Sequence, residues 1–425
     1  MTVLDVSDTH RAIDAVWRIE SPRLIAGLMR IVRDVGLAEE LAQDALVAAL
    51  EQWPESGVPD NPGAWLMTTA KRRAIDLVRR QQRLERKVEE IGRDLELGGA
   101  GSVPEPEAFV VDDHIGDDLL SLVFTACHPV LSTEARVALT LRLLGGLTTP
   151  EIARAFLAPE PTIAQRIVRA KRALAKAKVP FEVPEGAELA ERLSSVLEVI
   201  YLVFNEGYSA TAGADWMRPE LCADALRLGR ILAELVPKEP EVHGLVALME
   251  IQASRTKART GPTGEPILLL DQDRGRWDQL LIRRGLTALE RAETVEGPRG
   301  SYTLQAAIAA CHGRARTAGE TDWERIADLY AELATVSPSP IVELNRAVAL
   351  MMAFGPEAGL EHLGGLADEP SLRSYHLLPS VRGDFLSRLG RLEEARAEFE
   401  RAAALTQNER ERALLLERAE ACELP

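Results

Sequence analysis

Residues 147–178 read LTTPEIARAFLAPEPTIAQRIVRAKRALAKAK, and this stretch decides the class of fold. After Thr149 and Pro150, Ile152, Ala153 and Phe156 recur at helical spacing and predict a short helix with one apolar face. A break over 157–160 follows, and Pro is tolerated in the first turn of the helix that comes next. That second helix turns Ile163, Ile167 and Ala170 inward. Its other faces carry Gln165, Arg166, Arg169, Lys171, Arg172, Lys176 and Lys178, opposed near the start by Glu160. Two short helices with a tight turn, the second one basic, is how a helix-turn-helix presents a helix to the major groove. An ordinary helical hairpin with a solvated basic face shares this local pattern, so the rest of the chain must decide.

The chain has 425 residues, enough for more than one domain at roughly 100–200 residues each. It is rich in Ala, Leu, Arg and Glu, only 4% aromatic, and almost without the alternation of a half-buried strand, so the expected class is all-α. The formal charge is −16. A protein this acidic binds DNA only where its basic residues are gathered into patches. The four cysteines lie far apart without CxxC spacing, which suggests neither a disulfide framework nor a zinc site. Cys127–His128 and Cys311–His312 read as thiols beside ordinary histidines. No phosphate loop, nucleophile–base pairing or metal spacing is visible, so no catalysis, metal or cofactor is expected. The first residues, MTVLDVSDTH, form neither a basic region nor an apolar run, and no stretch approaches a membrane span. The expectation is a cytoplasmic protein with no membrane partner.

Four regions follow in order. Residues 1–93 form a helical domain. Its first helix, 7–19, gives way at Ser21–Pro22 to a second, 23–35, with Leu24, Ile25, Leu28, Ile31 and Val32 on one face. A third, 37–52, sets Glu39, Glu40 and Asp44 opposite Leu41, Ala45 and Leu46. A Pro/Gly loop over 53–65 leads to a helix, 64–87, that begins apolar and ends basic: Lys71, Arg72, Arg73, Arg79, Arg80, Arg83, Arg86 and Lys87 against Asp76 and Glu85. Residues 94–113 are Gly-, Pro- and acid-rich, the composition of a flexible linker. Residues 114–179 surround the helix-turn-helix. Beyond the Pro-punctuated stretch 179–184, residues 185–425 are a run of helices with a weak repeat. Gly390, Leu392, Ala395, Phe399 and Ala402 follow tetratricopeptide spacing, and Gly355 precedes Gly390 by 35 residues, close to the 34-residue period. Such repeats bury their faces by stacking and leave a concave surface for a partner. Residues 205–208, NEGY, read as a helix end with Gly past it.

Together these motifs resemble a known family. EELAQDALVAALEQW followed by NPGAWLMTTAKRRAIDLVRRQQR is similar to region 2 of bacterial sigma factors of the extracytoplasmic-function (ECF) type. LSTEARVALTLRLLGGLTTPEIARAFLAPEPTIAQRIVRAKRALAKA is similar to their region 4. YLVFNEGYSAT, LLLDQDRGRWD, LQAAIAACH and SPIVELNRAVAL resemble the extension of the ECF group that carries tetratricopeptide-like repeats. The pattern departs at the turn, where Leu157 stands for the usual Gly, Pro159 for the usual Ser and Pro161 for a second Gly.

The resemblance implies two small helical sigma domains, a linker and a helical-repeat extension. It implies core RNA polymerase (its β′ clamp helices and β flap) and promoter DNA as partners. The polymerase-binding residues would be Glu39, Glu40, Leu41, Asp44 and Leu46. At the −10 element, Asp60 and Asn61 would meet a flipped base in the loop 56–62. Lys71, Arg72, Arg73, Arg79, Arg80 and Arg83 would run along phosphates, contacts that position without reading sequence. Trp53 and Trp65 flank that loop, and core packing competes with base stacking for both. The acidic linker residues Glu96, Glu105, Glu107, Asp112 and Asp113 would enter the polymerase cleft. At the −35 element, Thr162, Gln165, Arg166 and Arg169 would face the groove, where Arg pairs with guanine and Gln with adenine. Lys171 and Arg172 would reach phosphate. Asp271, Gln272, Asp273 and Arg274 are candidates for a contact between the extension and the sigma domains or polymerase; a capped helix start with an internal Asp–Arg pair fits them equally. The implied function is promoter-specific transcription initiation, with the extension regulating it through an intramolecular contact. The alternative is a helical-repeat DNA-binding regulator without sigma activity. The stretch 37–83 separates the two, because an operator binder has no use for a polymerase-docking helix, a loop and a basic helix.

Overall fold

The computed structural model describes residues 6–93 and 115–422, apart from 157, 210–216, 263–264, 296–297, 367–368, 374 and 407. The linker residues 94–113 and the turn residue Leu157 therefore lie outside the described residues. The chain is all-α, as its composition predicts: among the described residues an isolated bridge, Thr260–Pro266, is the nearest approach to a strand. It divides into two compact units, residues up to 154 with 158–199, and residues 200–425 with 155–157.

The first unit holds α1 (Val6–Val32), α2 (Val35–Ser56), α3 (Pro62–Arg93), α4 (Ile115–Ala126), α5 (Thr133–Leu143), α6 (Thr149–Ala155), α7 (Glu160–Ala177) and the first half of α8 (Gly186–Tyr208). Helix α1 packs against α2, α3 and α4, and its Leu24, Ile25 and Leu28 are buried. Each such side chain contributes roughly 1.5–3 kcal/mol on burial. The expected break at Ser21–Pro22 does not occur. One helix runs through Pro22, at the cost of the backbone bond that Pro cannot donate. Gly146, at φ +71°, lies against this point: a Cβ there would come within 3.1 Å of the Ser21 hydroxyl and 3.3 Å of the Arg18 Cα. The loop expected over 53–65 is also shorter, because α2 continues through Trp53 and Pro54 to Ser56 and α3 begins at Pro62. Trp53 is buried at 2% exposure, and the core that it fills extends the helix past the Pro/Gly signal.

The second unit continues from α8 through α9 (Pro219–Leu235), α10 (Pro240–Ala253), α11 (Gln279–Thr294), α12 (Ser301–Arg314), α13 (Trp323–Val336), α14 (Pro340–Phe354), α15 (Pro356–Gly364), α16 (Leu377–Arg388), α17 (Leu392–Leu405) and α18 (Glu409–Ala421). From α9 onward each helix packs against the next, and one core runs through α10, α12 and α13. The repeat spacing read at 390–402 places Ala395, Phe399 and Ala402 in the core, whereas Leu392 is 37% exposed. Gly390, at φ +73°, makes the turn from α16 into α17. The segment 205–208 is the last turn of α8, as read from the sequence, but Gly207 lies inside the helix and not past its end, and α9 approaches it there. A Cβ on Gly207 would lie 2.7 Å from the Cys222 nitrogen and 2.9 Å from the Arg218 carbonyl oxygen.

Candidate nucleic-acid interface

The helix-turn-helix forms where the sequence places it. Thr148 and Glu151 cap α6 reciprocally. The Glu151 carboxylate accepts from the Thr148 amide at 2.7 Å and its hydroxyl at 2.8 Å, while the Thr148 hydroxyl accepts from the Glu151 amide. Glu151 also takes the Arg18 guanidinium at 2.8 Å. Pro159 precedes α7 without a side-chain cap. Ile163, Ile167, Ala170 and Leu174 bury the inner stripe of α7. At 100° per residue, Thr162, Gln165, Arg169 and Arg172 fall on the opposite stripe, and all four are exposed. Arg166 is half-buried beside them.

Lys171 is not on that stripe. The same rotation sets it at the edge of the buried face, and it pairs with Glu39 of α2. Glu39 is 4% exposed and accepts from the Arg142 Nε of α5 at 2.6 Å and from Gln43 at 2.7 Å. Arg142 also donates to the Leu147 carbonyl at 3.1 Å. One buried carboxylate thus ties α2, α5 and α7 together. Glu39 consequently does not share the solvent face of Glu40 and Asp44, both of which are exposed. Leu41 is buried and Leu46 half-buried. The residue that sequence reasoning missed is Arg142, and no local signal marks it, because its partner lies 103 positions away.

On α3, Arg72, Arg73, Arg79, Arg80 and Arg83 are exposed on one broad face, and Lys71 is half-buried at its edge. Ala70 and Ala74 are buried on the other side. Arg73 reaches Asp44 at 3.5 Å, an exposed pair of little weight. Asp60 and Asn61 are exposed before α3. The Asn61 side-chain oxygen accepts from the Ala64 amide at 3.0 Å and so caps the basic helix. Trp53 and Trp65 meet edge to face at 5.3 Å. Trp53 is in the core, and half-buried Trp65 keeps surface beside the loop.

The first half of α8 belongs to the same unit. Buried Arg192 donates to the Phe124 carbonyl at 2.9 Å, and Ser195 donates to the Cys127 carbonyl at 2.8 Å. Arg136 of α5 pairs with Glu198 at 3.2 Å. Burial pushes the neighbouring Cys127 thiol up to about 11.

In the second unit, Asp271–Arg274 splits into two faces. Asp271 and Asp273 are exposed, while Gln272 and Arg274 are buried. Asp273 caps a 3-10 turn through the Gly275 amide. Arg274 donates inward to the carbonyls of His312 (2.8 Å) and Ala315 (3.0 Å) and to the Thr321 hydroxyl (2.9 Å). The anticipated Asp–Arg pair is not made: among the described residues Arg274 has no carboxylate within ion-pair distance. The cap of α11 comes instead from Asp278.

Residues 17–84 match Sigma-70 region 2, and residues 121–174 match Sigma-70, region 4. Residues 192–293 match a family of unknown function (DUF6596). The chain is 43% identical over 408 residues to an uncharacterized protein of Rhizobium meliloti (strain 1021), covering 95% of this chain and 94% of that one. It is 34% identical over 157 residues to the ECF RNA polymerase sigma factor SigK of Mycobacterium tuberculosis (strain ATCC 25618 / H37Rv), covering 36% of this chain and 78% of that protein. It is 30% identical over 164 residues to the ECF RNA polymerase sigma factor SigK of Mycobacterium sp. (strain KMS), covering 37% and 77%. Among the described residues no helix is long and apolar enough to cross a membrane. Basic helices α3 and α7, each with an apolar stripe buried and most of its cations outward, lie largely within the segments that match Sigma-70 regions 2 and 4, and the chain belongs to the ECF RNA polymerase sigma factors.

Proposed function

We propose that this sigma factor rests in a closed form in which regions 2 and 4 occupy one another, and that it opens to bind core polymerase and promoter DNA. The carrying observation is Glu39, a buried carboxylate on the polymerase-docking helix α2 that holds Arg142 of α5 and Lys171 of the recognition helix α7. While that cluster stands, Lys171 cannot reach a phosphate and Glu39 cannot reach the polymerase. Opening exposes both, and Glu40, Asp44 and Leu46 complete the docking face toward the β′ clamp helices. Region 4 then faces the β flap and the −35 element, with Gln165, Arg166 and Arg169 toward base edges, Thr162 beside them and Arg172 at phosphate. Arg72, Arg73, Arg79, Arg80 and Arg83 track phosphates at the −10 element, with Lys71 at their edge, Asp60 and Asn61 at the melted base and Trp65 as its stacking surface.

The extension acts on this opening in cis. Helix α8 supports the reading, since its first half is hydrogen-bonded to the region 4 helix α4 and its second half continues into the C-terminal part. Asp271 and Asp273 face outward and are the pair left for a polymerase contact; Gln272 and Arg274 support them from inside. Run-off transcription with bacterial core RNA polymerase, on DNA from upstream of the protein's own gene, tests the reading. The full-length chain should start a specific transcript, and Arg142→Gln should start more of it at limiting protein. Absence of any polymerase-dependent transcript from either would sink the proposal, leaving an operator binder.

A further inference from the structure

A polar cavity of about 190 Å³ lies inside the second unit, between α8, α10, α12 and α13. Its polar wall is made by Tyr201, Gln252, Arg255, Gln305, His312 and Tyr330. Leu248 and Ile308 stand on its apolar side. Much of the polar wall is already arranged. The Tyr201 hydroxyl donates to the Gln305 oxygen at 3.1 Å. The Gln252 oxygen accepts from Tyr208 at 2.9 Å and from Arg255 at 3.0 Å. Two groups of the wall are left over. The His312 Nδ1 is buried without a partner. The Tyr330 hydroxyl makes no hydrogen bond among the described residues.

The charge is equally one-sided. Arg255 is bonded only to amide oxygens, at Gln252 and Gln272, and lies 5.5 Å from the Trp277 ring. Arg274 is bonded only to carbonyl and hydroxyl oxygens and lies 4.9 Å from the same ring. Among the described residues neither guanidinium has a carboxylate within ion-pair distance. Arg274 is buried and Arg255 half-buried, and removing guanidinium charge from water without a counter-ion is costly. The histidine adds no acid here: burial, then Arg255 and Arg274, hold His312 neutral down to about 3, so it offers one donor and one acceptor.

From this arrangement we infer that the cavity is a binding site for a small organic acid, its carboxylate on Arg255 and Tyr330 and its short apolar body against Leu248 and Ile308. Arg binds a carboxylate through paired N–H groups, which suits it better than water to replace the missing counter-charge. A cavity of about 150 Å³ accepts a molecule of benzene size, so this one holds an aromatic or short-chain acid and nothing much larger. The apolar side argues against inorganic phosphate, which would leave Leu248 and Ile308 uncovered. The site lies wholly in the part that matches a family of unknown function, and the inference stands apart from the closed form proposed above.

The test is titration of the full-length protein with sodium benzoate, sodium butyrate, benzamide and inorganic phosphate, followed by calorimetry. Benzoate or butyrate should bind saturably, and benzamide, the neutral isostere, at least tenfold more weakly. Arg255→Gln should weaken carboxylate binding at least tenfold. Tyr330→Phe, which removes one hydroxyl and keeps the packing, should weaken it severalfold. Absence of carboxylate binding up to about 10 mM, a tenfold excess over a millimolar Kd, would overturn the inference. So would equal binding of benzamide, binding of phosphate alone, or unchanged benzoate affinity in both variants.

Discussion

Arg142 of α5 donates its Nε to Glu39 of α2 at 2.6 Å, and the two residues lie 103 positions apart in the chain. The bond joins the segment that matches Sigma-70 region 2 to the segment that matches region 4, and Lys171 of α7 shares the same carboxylate. Removing one partner of a buried ion pair leaves a desolvated charge behind, whereas forming the pair contributes little net stability. A cluster of this kind therefore serves better as a latch than as a source of stability.

Arg142→Gln should loosen the latch. Because Arg142 and Lys171 keep 21% and 23% of their side-chain exposure, the loss is about 1–3 kcal/mol and not the full cost of an enclosed pair. Hydrogen exchange should report it as faster opening of α5 and α7, with α3 unchanged. Each ~1.4 kcal/mol removed from the closed form tightens apparent polymerase binding up to tenfold, for as long as the closed form predominates.

Two positions on α7 should separate reading from holding. Arg169→Ala, on the outward stripe, should cost about 1–3 kcal/mol of discrimination at one −35 base pair. Arg172→Ala should weaken all promoters alike and lower the salt dependence by about one unit of slope. Binding of the polymerase holoenzyme to a set of −35 variants at several salt concentrations checks both.

Acid should destabilise the second unit through His312. The folded protein holds this side chain neutral to about 3, while the unfolded chain takes up the proton near 6.5. Between those values the unfolded state binds a proton that the folded state refuses, so stability falls as pH falls. The slope is about 1.4 kcal/mol per pH unit, or roughly 2 kcal/mol between pH 6.5 and 5. Urea unfolding followed at several pH values should show it, and His312→Asn should flatten that part of the profile.

Gly207→Ala should destabilise the junction of α8 and α9, since its new Cβ would meet the Cys222 nitrogen at 2.7 Å, the Leu221 Cβ at 2.8 Å and the Arg218 carbonyl oxygen at 2.9 Å, none of which a rotamer change can move. Overpacking of this kind costs about 1–3 kcal/mol. A shift of the urea midpoint measures it, and an unchanged midpoint would mean that the two helices do not meet there.

The helix-turn-helix was legible because its reading is local. Ile163, Ile167 and Ala170 repeat at 3.6 residues, and all three are buried. The edge position of Lys171 was legible too, from the same 100° rotation, although charge alone suggested a phosphate contact. What could not be read depends on distant partners. The rotation also sets Glu39 at the edge of the buried stripe of α2 and Glu40 opposite it, but nothing local reveals Arg142 and Lys171, the distant partners that hold the carboxylate inside. Pro22 carries the usual stop signal, yet packing of Leu24, Ile25 and Leu28 keeps one helix continuous across it. The end of α8 was legible at 205–208, but not the reason for Gly207, because the backbone of α9 that leaves no room for a Cβ there belongs to a later helix. Arg274 seemed poised to pair with its own aspartates, but carbonyls on α12 and beyond it claim the guanidinium first.

The closed form is tested most directly by the distance between regions 2 and 4 in solution. Spin labels at Ile19 of α1 and Val168 of α7, which are 59% and 44% exposed, would be placed in full-length protein lacking its native cysteines. Pulsed electron resonance would then be recorded with and without core RNA polymerase. A single narrow distance in the free protein, broadened by Glu39→Gln and replaced by a longer one on polymerase, is the predicted result. A broad distribution in the free protein that neither Glu39→Gln nor polymerase alters would contradict the account.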